Sequence, residues 1–303
     1  MNKNYVLAVD IGGTNIRFGL VDRSYNLKDF VRKSSQSVLA GRNAAASLRD
    51  ALIEYLDGTD AAGEVAAIII GIPGQVRKDR RYIYSVPKIQ GLSNLALGTI
   101  LERTFDCPVF VEHDVSNLLT HDIRTMNLDP DRNKTILGIY VGTGMGNCLY
   151  IDGRIHMGTH GVAAELGHIP LYGVEDVCSC GAVGCVETRS CGAYLAKLVE
   201  KEFPDCNISE IFSKHSDDPR IIKFVKDTAI PIAIEVTLLD PGYVLLGGGV
   251  LTMEDFPMQL LEEEVRRLAR HPLPANDINF VYASDSQANG VIGGGMIAWD
   301  LIG

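Results

Sequence analysis

Two stretches of this chain share one design. In "YVLAVDIGGTNIRFGLVD" (residues 5–22) and "TILGIYVGTGMGNCLYIDGRI" (135–155), an apolar run meets a glycine turn and a second apolar run returns. Runs joined by so short a turn pair as hairpins, so the chain must twice bend antiparallel strands through a turn with few Cβ atoms. Neither turn is a P-loop or a dinucleotide fingerprint, because the lysine and the Rossmann spacing are missing and each turn leads into a strand where those motifs need a helix. Taken alone, either is more often a plain hairpin than a phosphate cradle. As a pair, with the carboxylate of Asp10 closing the first run, they read as backbone N–H donors facing a polyphosphate.

Around the hairpins the hydrophobic period alternates. A polar stretch from Asn26 to Ser37 is expected to add a strand, and Ala44, Leu48, Leu52 and Leu56 recur at helical spacing within residues 41–56. "VAAIIIGIPG" reads as a buried strand running into a Gly-Pro turn that ends at Gly74. "LSNLALGTILERTF" has a helical period, while "PVFVEHD" reads as a strand with an abrupt polar end at His113 and Asp114, followed by a helix from near Val115. "NLDPDRNK" reads as a surface turn. Further helices are expected near Gly192–Phe203, Pro219–Leu238 and Glu254–Arg270, with strands at "YVLLGGG" and "INFVYAS". The closing "GVIGGGMIAWDLI" reads as a helix whose glycines allow close packing. Strands and helices in this order make an α/β chain, and no low-complexity linker separates its halves.

The 303 residues, 46% of them hydrophobic, suffice for two domains. A net charge of -10 would repel nucleic acid and anionic membranes, so neither is an expected partner. Small phosphorylated ligands remain compatible, since N–H groups and a metal ion hold phosphate without net positive charge. With no signal-like N-terminus and no run approaching the roughly 20 apolar residues of a membrane span, a cytoplasmic protein is expected.

Three of the seven cysteines crowd into "CSCGAVGC" as Cys178, Cys180 and Cys185. In a reducing compartment such spacing suggests a metal more than a disulfide framework. Tetrahedral zinc needs a fourth ligand, and His168 stands ten residues before the first cysteine. Four protein ligands would make the ion structural; the alternative is a set of buried free thiols beside an unrelated histidine. Asp114, Glu165 and Glu187 are the remaining candidates. The first ends a strand, and the other two flank the proposed metal ligands, where fixed acceptors suit the hydroxyls of a polyol.

"DIGGTN", "GIPG", "VEHD", "GTGMG", "GVAAELGH", "CSCGAVGCVE" and "LGGGV" occur in the order seen in the ROK family of bacterial sugar kinases, repressors and related proteins, which the chain resembles over essentially its whole length. Within that family, "HGVAAELGHIPL", "LDPGYVLLGGGV" and "RHPLP" look most like D-allose kinases. The resemblance implies an actin/hexokinase-like (ribonuclease H-like) ATPase fold with two α/β domains and a cleft between them. The expected division is 1–113 and 114–288, with a C-terminal helix 289–303 packing back on the first domain. Asp114 matches the catalytic base; Gly74, His113, Glu165, His168 and Glu187 match sugar-binding positions; His168, Cys178, Cys180 and Cys185 match zinc ligands. Gly12, Gly13, Thr14 and Asn15, with Thr143 and Gly144, match the phosphate loops, and Gly248 and Gly249 the adenosine contact. Asp10 is expected to hold the hydrated Mg²⁺ of MgATP. A homodimer is implied by the family's habit.

Two positions depart from the family's usual pattern. His113 stands where asparagine normally precedes the base, and Lys88-Ile89 replaces Asn-Leu. Because an imidazole offers different reach and donors from a carboxamide, a glucose 3-epimer such as allose is the expected substrate, phosphorylated on its 6-hydroxyl. N-acetylmannosamine kinase or glucokinase activity is the near alternative. A sugar-responsive regulator is the distant one; family repressors carry an N-terminal helix-turn-helix, whereas here a strand is expected from Tyr5.

Overall fold

The computed structural model describes residues 3–39, 43–61, 63–87 and 89–303; Lys88 lies outside them. Two compact units emerge, one of residues 1–127, 157–163 and 286–303, the other of 128–156 and 164–285.

In the first unit, β1 (Tyr5–Ile11), β2 (Asn15–Asp22) and β3 (Leu27–Ser34) form an antiparallel meander. The helices α1 (Ser35–Val38) and α2 (Ala44–Asp57) follow, then β4 (Val65–Ile72), the small β5 (Gln75–Val76) and β6 (Ile83–Ser85) ribbon, α3 (Leu97–Leu101), β7 (Val109–His113) and α4 (Asp114–Thr125). Strand order is β3-β2-β1-β4-β7, with β4 and β7 parallel to β1. Side chains alternate across a strand, and this sheet obeys the rule. Leu7, Val9 and Ile11 of β1 face one way, toward Leu48 and Leu52 of α2. Val6 and Ala8 face the other, toward Val291, Ala298 and Trp299 of the C-terminal helix α9 (Asn289–Ile302). Parity therefore sends Asp10 to the α9 side. On that side α9 crosses α4 so closely that a Cβ at Gly293 would stand 1.9 Å from the Asn117 carbonyl oxygen. Trp299 Nε1 ties α9 to β2 by donating to Val21 O at 3.1 Å.

The second unit contains β8 (Ile136–Val141), β9 (Met145–Ile151), β10 (Arg154–Ile155), α5 (Gly192–Glu202), α6 (Ile211–His215), α7 (Pro219–Leu239), β11 (Tyr243–Gly247), α8 (Met258–Leu268) and β12 (Phe280–Tyr282). Its sheet runs β10-β9-β8-β11-β12, antiparallel through the first three and parallel from β8 to β12. This is the topology of the first sheet. The similarity between the two glycine hairpins is thus the visible part of a five-strand repeat.

Two local expectations change. "LSNLALGTILERTF" is helical only over Leu97–Leu101, because Asn94 turns left-handed at φ 53° and Leu95 exchanges backbone hydrogen bonds with Ile83. The division expected after residue 113 falls after Asn127, with 157–163 returned to the first unit. The reason is α4: it lies along α9, and Arg124 at its end pairs with Asp300 and donates to Tyr25 Oη.

Candidate active site

The β1–β2 turn is Gly12-Gly13-Thr14, closed by Gly12 N–H donating to Asn15 O at 2.9 Å. Ser35, at the start of α1, braces it from outside: its Oγ donates to Gly12 O at 2.6 Å and its N–H to Thr14 O at 2.9 Å. Across the hairpin, Asp10 stands opposite Arg17, and Arg17 Nη1 donates to Asp10 Oδ2 at 3.0 Å. Asp10 also meets the N-terminus of α9. A Cβ at Gly290 would lie 3.0 Å from the Asp10 Cγ, so glycine there lets the carboxylate reach the helix's free N–H end. That end favours negative charge, yet burial pushes the Asp10 carboxyl up to about 6, helped by the like charge of Asp114 and opposed by Arg17.

Asp114 is the first residue of α4, capped by His113 in extended conformation. Its Oδ1 accepts the Val115 N–H at 2.8 Å, a charge-assisted contact at a helix N-terminus. The β7 strand thus delivers His113 and Asp114 at the corner where pairing with β4 ends. Gly74 follows β4, and a Cβ there would stand 2.3 Å from Ser85 O.

In the second unit Gly142-Thr143-Gly144 repeats the turn, with Gly142 N–H donating to Gly144 O at 2.9 Å. The N-terminus of α5 secures it: Gly192 N–H donates to Gly142 O at 2.8 Å and Ala193 N–H to Thr143 O at 3.0 Å. Gly248, at φ 93°, lies against Val141, where a Cβ would sit 2.6 Å from its N and O. Gly249 beside it has open space. The expected phosphate loop and the expected adenosine contact are therefore adjacent. Behind the turn Asn147 Nδ2 donates to Gly138 O at 3.2 Å and to Glu235 Oε2 at 2.9 Å, and burial pushes Glu235 up to about 7.

His168, Cys178, Cys180 and Cys185 converge, their ligand atoms all within 4.8 Å of one another. Zn–S near 2.3 Å and Zn–N near 2.05 Å in a tetrahedron require S–S edges of about 3.8 Å and S–N edges of about 3.6 Å. The chain has Cys180 Sγ to Cys185 Sγ at 3.7 Å and Cys178 Sγ to His168 Nδ1 at 3.6 Å. The donor set and these edges fit zinc. Among thiols alone Cys185 resists ionisation: burial, then its hydrogen bonds to Cys180 and Cys178, push it up to about 12. With Nδ1 turned to sulfur, His168 Nε2 faces Glu165 Oε2 at 3.9 Å. Glu187 Oε1 accepts from the Cys178 thiol at 3.2 Å, so both acids lie beside the cluster.

Residues 6–300 match the pattern of the ROK family. The chain belongs to the ROK family. By sequence it is 25% identical to a glucokinase of Halalkalibacterium halodurans, over 98% of this chain and 96% of the relative. It is 30% identical to an N-acetylgalactosamine kinase of Shewanella sp. strain ANA-3, over 82% of each. Its fold matches a ROK glucokinase of Streptomyces griseus, solved in complex with glucose and AMPPNP, at TM-score 0.79 and 23% identity, covering 98% of this chain and 99% of that one. The two-domain α/β architecture expected from sequence is the fold of this ROK chain.

Sequence reasoning missed Arg17, Ser35 and Gly290. Arg17 was within reach, because a four-residue turn between the paired Ile11 and Ile16 puts residue 17 opposite residue 10. The other two come from tertiary contacts that no local pattern encodes.

Proposed function

We propose that this chain, an ATP-dependent sugar kinase, transfers the γ-phosphoryl group of MgATP to the 6-hydroxyl of a hexose, with D-allose preferred. The supporting observation is the division between two nearby acids. Asp114 sits at a helix start with one oxygen tied to backbone, suited to take the hydroxyl proton as phosphoryl transfer proceeds. Asp10, at the first glycine turn, is the carboxylate that would hold hydrated Mg²⁺, which neutralises charge on the phosphates. Arg17 steadies Asp10 and adds positive charge beside the turn. The N–H groups of Gly13, Thr14, Thr143 and Gly144 serve the phosphates, and Gly249, beside Gly248, gives the adenosine room. Glu165, His168 and Glu187 take sugar hydroxyls; a zinc ion held by His168, Cys178, Cys180 and Cys185 would fix the His168 tautomer and leave its other ring nitrogen to donate. The allose preference rests on His113, whose ring replaces a carboxamide at the residue before the base.

A panel of allose, glucose, N-acetylglucosamine, N-acetylmannosamine and N-acetylgalactosamine, assayed by ADP release with MgATP, tests both levels. Allose should show the highest kcat/KM. Hexose-independent ADP release would sink the kinase reading, and glucose ahead of allose by tenfold the assignment of substrate.

Asp10 makes a second prediction. Its pKa of about 6 lies above the ordinary 3.8, so the fold prefers the protonated acid. The associated stability is complete below about pH 4 and lost as pH rises through 6, at most about 3 kcal/mol from roughly two pKa units at 1.36 kcal/mol each. Asp10→Asn should therefore raise the melting temperature of the ligand-free protein at pH 8 while abolishing most Mg²⁺-dependent activity. In the unsubstituted enzyme, the Mg²⁺ concentration for half-maximal rate should climb as pH falls below 6. A melting temperature lowered by the substitution at pH 8 would contradict the account.

A further inference from the structure

The connection from β5 to β6 carries Arg77-Lys78-Asp79-Arg80-Arg81, a basic run for which the reading above has no task. Arg77 is neutralised locally by Asp79, and Arg81 pairs with Glu102. Arg80 does something else. Its backbone is left-handed at φ 59°, its carbonyl accepts the Val111 N–H at 2.8 Å, and its Nε donates to Glu112 Oε2 at 2.6 Å. Glu112 is 2% exposed, and its other oxygen accepts the His113 N–H at 2.9 Å.

These contacts share a cause. β7 is the last strand of its sheet, so alternate N–H groups, those of Val111 and His113, have no neighbouring strand to meet. Arg80 closes both, the first with its own carbonyl and the second through the Glu112 carboxylate that its guanidinium holds in place. A buried carboxylate without that partner would carry an uncompensated charge. The closure falls on the last two odd positions before the chain turns into α4 at Asp114.

We infer that the Arg80–Glu112 pair is the positioning device for hexose selection: by fixing the backbone of His113, it sets the direction from which the imidazole and the Asp114 carboxylate address the sugar. The inference rests on the proposed roles of His113 and Asp114. Lysine at 80 would keep the charge but lose the planar donor, and glutamine at 112 would keep an acceptor for His113 while losing the ion pair.

The test is steady-state kinetics of Arg80→Lys and Glu112→Gln with allose and glucose, together with melting temperature. KM for MgATP should stay within about twofold, and kcat/KM for allose should fall by about 10–100-fold, the scale expected for displaced reacting groups. The allose-to-glucose ratio of kcat/KM should shift by at least about threefold, with Arg80→Lys the milder variant. Should Glu112→Gln fail to fold, Arg80→Lys carries the test. Proportionate losses for both sugars, leaving the ratio unchanged, would show a merely structural pair and overturn the inference while the kinase reading stands. Unsubstituted protein inactive on every hexose overturns both.

Discussion

Replacing Asp114 with asparagine is expected to lower kcat by about 10²–10⁴-fold, the usual contribution of a positioned general base, while changing KM for the hexose only a few-fold. The substitution is close to isosteric, and an amide oxygen can still accept the Val115 N–H that Asp114 Oδ1 accepts at 2.8 Å. The start of α4 is therefore retained and the proton acceptor is lost. A second signature follows from the neighbouring acid. The Asp114 charge helps hold the Asp10 carboxyl high, so in Asp114→Asn the Mg²⁺ dependence should extend to lower pH than in the unsubstituted enzyme. Near wild-type turnover in the variant would remove Asp114 from the role of base.

Cys185→Ser should produce the other large effect. Cys185 is 1% exposed, sits 3.7 Å from Cys180 Sγ, and contacts His168 O at 3.5 Å, so it joins the cysteine hairpin to the segment bearing Glu165 and His168. Protein purified without chelator should hold about one zinc per chain, since a Cys₃His set fills a tetrahedral site. In the variant that zinc should be lost, and kcat/KM for the hexose should fall by about 10–100-fold, as expected when groups oriented through a metal site lose their support. Protease cleavage within residues 169–187 should become faster. A metal-free yet fully active unsubstituted enzyme would exclude the zinc.

The repeat and the cysteine cluster were legible because each is written locally. Alternating apolar residues on either side of a glycine turn leave few options other than a hairpin, and three cysteines within eight residues must meet wherever the hairpin of "CSCGAVGC" closes. Beyond those, legibility declines with distance along the chain. Nothing near Asp10 announces Gly290, and nothing near His113 announces Arg80. The helical period of "LSNLALGTILERTF" was real but was overridden at Leu95 by pairing with Ile83. The position of the domain division was hidden for the same reason: the interface that claims α4 is made by a helix encoded about 170 residues later.

That helix also sets an order of events during synthesis. Val6, Ala8, Val21, Ala67 and Ile69 form a bare apolar face until Val291, Ala298 and Trp299 cover them, and every residue of the second unit leaves the ribosome in between. The second unit can complete its sheet while the first still lacks one side, the reverse of the N-terminal-first sequence usual for nascent domains. Throughout that interval the carboxylate assigned to magnesium has no helix end beside it, so the surroundings of Asp10 are complete only once α9 has been made.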